Sequence, residues 1–179
     1  MGQTLRSYLE QTILPEFGIQ DTTSIEPIPL SLINRTFFVH AEHGSYVLQR
    51  MAQIFGTETL EDMQLVTQHL QNKKIPTINL LTSSQGTAYF KDEKNYLWKL
   101  MVAIPGETYH VVPSTTIARQ AGETLGQFLA GMEDFDANTL HSPLKLHQTK
   151  HILDDWRALE TQAQQLVTPE QWALLQTIS

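Results

Sequence analysis

Arg50 closes the run Val47-Leu48-Gln49-Arg50, a cation at the end of an otherwise apolar strand-like segment with no neutralising neighbour in sequence. Period 2 puts Leu48 and Arg50 on one face of that strand. Two readings fit. The guanidinium either snorkels to solvent from the sheet edge, or its planar fork binds phosphate opposite a loop folded over a nucleotide. The remaining chemistry-bearing groups carry weaker patterns. His147 and His151 lie four apart, a metal-ligand spacing, yet no glutamate follows the first histidine and no third ligand is near, so a solvated helix face is the competing reading. Asp154-Asp155 reads as surface charge. Trp98, Trp156 and Trp172 read as core or interface aromatics rather than as a stacking platform.

Composition bounds what these groups can serve. A chain of 179 residues with 41% hydrophobic content can bury a substantial core, as one domain or two lobes. Net charge is −7, and the 12 basic residues are scattered, which argues against a nucleic-acid partner. With no cysteine, neither a disulfide framework nor a thiolate metal site can form. The opening MGQTLRSYLEQ has no basic region followed by an apolar one, and no apolar run approaches the ~20 residues that span a bilayer, so no membrane partner and a cytoplasmic location are expected.

Positioning falls to the elements. Leu5, Tyr8, Leu9 and Ile13 predict an amphipathic helix over 4–14, ended by Pro15 and Gly18. Pro27 and Pro29 make 22–32 an edge strand or an extended lead-in. Thr36 to Val39 and Tyr46 to Leu48 around Glu42-His43-Gly44-Ser45 predict a β-hairpin. A helix follows, with Thr57 as N-cap, Glu58 and Glu61 in its first turn, an inward stripe of Leu60, Met63, Val66 and Leu70, and Lys73-Lys74 at its end. Three strand-like runs come next, at 77–81, 87–91 and 96–102. Residues 104–107 break the pattern as a linker. Ser114 caps a helix closed by Gly131, in which Gly122 and Gly126 predict close approach of another backbone. Residues 136–146 are irregular. Helices over 152–167 and from Pro169 complete the chain. The expected fold class is α+β, with a five-stranded antiparallel sheet and one crossing helix.

The ordered runs L-I-N-R-T-F-F-V, G-S-Y-V-L-Q-R, L-V-T-Q-H-L, Y-L-W-K-L-M with I-P-G, G-x-x-L-G-x-F, D-F-D and L-x-x-x-x-x-x-H resemble the aminoglycoside phosphotransferase superfamily over roughly residues 24 to 160. The nearest branch is that of sugar and small-alcohol kinases such as N-acetylhexosamine kinases, with choline kinases further off. The resemblance implies a protein-kinase-like N-lobe over 1–103, a hinge over 104–107, and the first helices of an incomplete helical C-lobe over 108–179. Ser31 to Thr36 would lie over the nucleotide phosphates, with Ser31, Asn34 and Thr36 in contact, although many members place glycine where Ser31 stands. Leu48 and Arg50 would face the nucleotide, Arg50 at the strand lysine that touches the α- and β-phosphates. Glu61 or Asp62 would be its carboxylate partner. Met101 would back the adenine pocket, and Val102 to Ile104 would bind adenine through the backbone; an ordinary linker remains open there.

The same resemblance implies ATP as cofactor, Mg²⁺ in the intact enzyme only, and a small-molecule acceptor. Family members use an aspartate in a His-Gly-Asp or His-Asn-Asp loop, a following asparagine and a metal-holding aspartate, and no such set stands in these residues. Asp134-Phe135-Asp136 imitates the metal motif, but its spacing to Leu140 and His147 matches the family's helical linker instead. No catalytic or metal residue is therefore expected, and the chain is expected to end where the catalytic loop begins. The alternative is a non-catalytic kinase-like module that homodimerises through surface left by a missing lobe.

Overall fold

The computed structural model describes residues 3–29, 33–141 and 149–176. The chain divides into two compact units, Met1–Ser142 and Pro143–Ser179.

In the first unit, helix α1 (Gln3–Tyr8) runs on through a wider π-type turn at Leu9–Ile13 and a tight 3-10 turn at Leu14–Phe17. Gly18 stops it in the left-handed conformation, φ 76°, with its N–H on Leu14 and Pro15 carbonyls. Strands β1 (Thr22–Ile28), β2 (Arg35–Ala41) and β3 (Gly44–Arg50) follow, then helix α2 (Thr57–Asn72), β4 (Phe90–Lys91) and β5 (Leu97–Val102). They form one antiparallel sheet in the order β1-β2-β3-β5-β4. This is the expected α+β architecture. Pro27 sits opposite Phe37 on the edge strand β1, where its missing N–H breaks no central ladder.

Several local expectations differ from what forms, and of the run 87–91 only Phe90–Lys91 pairs, as β4. The run 77–81 is not a full strand: Leu80 makes a single bridge to Met101, flanked by bonds from Leu81 N–H to the Leu100 carbonyl and from Val102 N–H to the Asn79 carbonyl. The reason is geometric. One edge of β5 is taken by β3, and its other edge is divided between β4, at Leu97 and Trp98, and residues 79–81. Helix α2 begins at Thr57 with Gly56 in the cap position and no side-chain cap bond.

Pleating separates the sheet's two faces. Phe37, Val39, Leu48, Trp98 and Leu100 point to one side and form the main core with Leu9, Ile13, Leu14 and Phe17. Each such fully buried side chain contributes about 1.5–3 kcal/mol. The opposite side carries α2, through Leu60 packed with Leu97 and Met51. At the rim of the main core, buried Asp92 accepts from Tyr8 Oη, Trp98 Nε1 (2.8 Å each) and the N–H groups of Lys94 and Tyr96 (2.9 Å each). Burial opposes its charge, but these bonds outweigh burial and hold its carboxyl below the usual range. Burial and the Asp92 acceptor push the Tyr8 hydroxyl up to about 12.

Helix α3 (Thr115–Gly131) starts at Ser114, whose hydroxyl accepts from Ile117 N–H, as expected. Its end is pinned to α2: the Gly131 carbonyl accepts from Lys73 Nζ (2.8 Å) and His69 Nε2 (2.9 Å). A methyl on Gly131 would overlap Ile75 Cδ1. For Gly122 and Gly126, expected to meet another backbone, nothing among the described residues lies within 4 Å of a methyl placed on either.

In the second unit, α4 (Thr149–Leu166) carries the pair Lys150–Asp154 one turn apart. Helix α5 (Pro169–Gln176) begins with proline, and Thr168 and Gln171 cap it reciprocally. No described helix is long and apolar enough to cross a membrane.

Two outcomes follow from this packing. Asp92→Asn leaves two donors facing an amide and is expected to lower unfolding free energy by about 2–3 kcal/mol at pH 7 in urea melts. Because the native carboxyl titrates below the ordinary 3.8, the wild-type advantage is present above that pH and is lost as pH falls from it through the lower native value. Gly131→Ala is expected to cost about 1–2 kcal/mol, and adding Ile75→Val, which removes the overlapping methyl, is expected to recover most of that loss in the same melts.

Candidate functional site

On the side of the sheet that carries α2, strands β2, β3 and β5 align two cross-strand rows. Register places Thr36, Gln49 and Lys99 in one row and Phe38, Val47 and Met101 in the next. The second row is half-buried and apolar, and it adjoins residues 102–104 at the end of β5. In the first row Gln49 Nε2 donates to Thr36 Oγ1 at 3.2 Å.

Lys99 is the unusual member. It lies in the apolar run Leu97 to Met101, is 4% exposed, and its ammonium meets the sulfur of Met63 on α2 at 3.2 Å. Sulfur is a weak acceptor. No carboxylate pairs with Lys99 among the described residues. Burial alone pushes its pKa down to about 8.

The residues singled out from sequence fall in several places. Ser31 and His147 lie outside the described residues. Asn34 Oδ1 accepts from Ala52 N–H at 3.0 Å, tying the segment before β2 to the one after β3. Thr36 is buried in the row just described. Leu48 and Arg50 do share a face, but it is the one packed against the N-terminal helical segment: Leu48 is fully buried in the main core, and the Arg50 guanidinium stacks 4.2 Å over the Tyr96 ring. A cation expected to meet phosphate thus has an aromatic partner on the far side of the sheet from Lys99. Of the two carboxylates expected to pair with it, Glu61 accepts from Tyr89 Oη at 3.2 Å, and buried Asp62 accepts from His141 N–H at 2.8 Å. Met101 is half-buried beside Val47. The N–H of Val102 bonds Asn79 and that of Ala103 bonds the Ser45 carbonyl at 2.9 Å, while Ile104 is exposed.

Asp134 pairs with Lys73 and with His69, and the Lys73 ammonium holds its carboxyl below the usual range. Asp136 caps the short turn Ala137–Thr139 by accepting from Asn138 N–H. Asp134 thus serves the end of α3, and Asp136 the turn that follows. His151 lies on α4.

Lys99 and Gln49 escaped the reading of the sequence. The signal was present in L-W-K-L-M, where one lysine interrupts a central strand's apolar run; such a charge is buried or marks a site.

This sheet with its crossing helix, and a half-open face bearing a buried cation, define a kinase-like α+β lobe. The model of the Phosphotransferase enzyme family matches residues 24–178, and the chain belongs to that family. Among solved structures the chain is similar to an aminoglycoside phosphotransferase from Alicyclobacillus acidocaldarius, with a TM-score of 0.59 and 14% identity over 86% of this chain. It spans 43% of that protein's length.

A buried ammonium without a carboxylate weakens the native state. Lys99→Met is expected to raise stability by about 1–3 kcal/mol at pH 7. Between pH 8 and 10.5 the unfolded lysine keeps a proton that the native one has lost, so wild-type stability rises with pH there and the gap to Lys99→Met closes. Thermal melts across this range check both the sign and the window.

Proposed function

We propose that this chain supplies the donor-nucleotide half of an ATP-dependent small-molecule kinase, whose γ-phosphate passes to a hydroxyl of a sugar or amino-alcohol of the N-acetylhexosamine or choline kind. The observation that carries this reading is the pair of cross-strand rows. The apolar row of Phe38, Val47 and Met101 suits the flat face of adenine, next to backbone at 102–104 where, with the Val102 and Ala103 N–H groups bonded within the fold, carbonyls and the Ile104 N–H would read its edge. The polar row lies two residues further along the strands, about 6.7 Å, and offers hydroxyl, amide and ammonium where phosphates would extend. Family membership supports the same assignment.

The rows fit ATP. They do not fit a resident metal: no three His, Asp or Glu side chains converge among the described residues, so Mg²⁺ would come with the nucleotide it accompanies. Transfer of phosphate demands positioning and charge neutralisation around the acceptor. This chain's own groups bind and orient the donor, and its sequence holds no His-x-Asp triplet to take the acceptor proton.

A second reading rests on α3, where Leu125, Phe128 and Leu129 are exposed and, among the described residues, nothing covers Gly122 and Gly126. That surface suits a non-catalytic module that pairs with a second copy.

Calorimetry with Mg-ATP is expected to show saturable binding, weakened about tenfold or more by Met101→Arg, which puts a charge in the apolar row. Incubation with labelled ATP and N-acetylhexosamines or choline is expected to give no phosphorylated product. Absence of ATP binding together with a concentration-dependent dimer in sedimentation favours the second reading, and turnover of any acceptor by this chain overturns the assignment of a binding half.

A further inference from the structure

We propose that Lys99, reaching from β5, is the cation that holds the phosphate chain of the bound nucleotide. The proposal rests on the donor-nucleotide reading and deepens it.

Three observations carry it. First, the ammonium is sequestered with only the sulfur of Met63 within bonding distance and no carboxylate partner among the described residues, so its charge is unanswered inside the protein. A lysine of this length could relieve that cost by snorkelling to water, yet it stays buried. A buried cation in that state attracts an anion strongly, because the low-dielectric surroundings that penalise the lone charge also strengthen the pair.

Second, the neighbours are donors rather than competitors. Gln49 lies directly across from Lys99 on β3 and Thr36 directly across from Gln49 on β2. Neither is a carboxylate that would repel a phosphate oxygen. The Gln49 amide and the Thr36 hydroxyl are already bonded to each other, which fixes both side chains in the cross-strand row that holds Lys99.

Third, β3 offers no cation of its own on this face. Its Arg50 points to the opposite side, where the Tyr96 ring covers the guanidinium. The register therefore leaves a neutral amide on β3 and moves the positive charge one strand across. Met101, two residues on along β5, places the apolar adenine row and the cation on one strand at a fixed separation, so one rigid element sets the distance between base and phosphate.

The test uses the full chain and three probes: ADP, adenosine and inorganic pyrophosphate, measured by calorimetry on wild type, Lys99→Met, Lys99→Gln and Arg50→Met. The expected result is that Lys99→Met and Lys99→Gln each bind ADP and pyrophosphate about tenfold more weakly or worse, with adenosine affinity unchanged. Arg50→Met is expected to bind all three as wild type does. A purely structural lysine would not change the ratio of ADP to adenosine affinity. If both Lys99 variants keep wild-type ADP affinity, or if Arg50→Met is the variant that loses it, the assignment of Lys99 is overturned while the nucleotide reading stands. If wild type binds adenosine no more weakly than ADP, the assignment likewise falls alone. If wild type binds none of the three probes, the nucleotide reading fails and the assignment fails with it.

Discussion

The antiparallel register between β3 and β5 is the constraint on which the rest depends. It pairs Arg50 with Trp98, Gln49 with Lys99, Leu48 with Leu100 and Val47 with Met101. Pleating then sends alternate pairs to opposite faces, so one register decides both the main core and the candidate site. A slip by one residue would expose Trp98 and Leu100 and drive Lys99 into the packing against α1. The cost of exposing those buried side chains locks the register, and the locked register holds Lys99 where it is.

The two faces spend their polar groups differently. On the α1 side, Asp92 is buried and answered by donors from Tyr8, Trp98 and two backbone N–H groups, so its charge stabilises the sheet's rim. Trp98 is thereby fixed by packing and by its indole bond together. On the α2 side, Lys99 is buried and, among the described residues, answered only by a thioether. A satisfied charge serves the fold, whereas an unsatisfied one weakens it.

Much of the architecture was legible from residue pattern alone. The spacing of Leu60, Met63 and Leu70 marked α2, the turn Glu42-His43-Gly44 marked the hairpin, and Ser114 marked the start of α3, because each signal is local: a period, a turn residue or a cap. The strand run 77–81 was less legible, since whether it pairs depends on how much of the β5 edge β4 leaves free. Gly122 and Gly126 read as a close contact, but a small residue states only that space is available, not that anything fills it. Gly131 shows the converse, its hydrogen fitting against Ile75.

The site divides along the same line. By itself the sequence determined that β3 ends on a cation, that Leu48 and Arg50 share one face, and that a lone lysine interrupts the apolar run of β5. Only the tertiary structure decided which face packs against the N-terminal helical segment and which remains half-open beneath α2. Period 2 fixes which residues share a face but leaves undecided which face is covered. That choice is made by apolar burial between α1 and the sheet, contacts between residues far apart in the chain, and it put Arg50 over Tyr96 and Lys99 beneath α2.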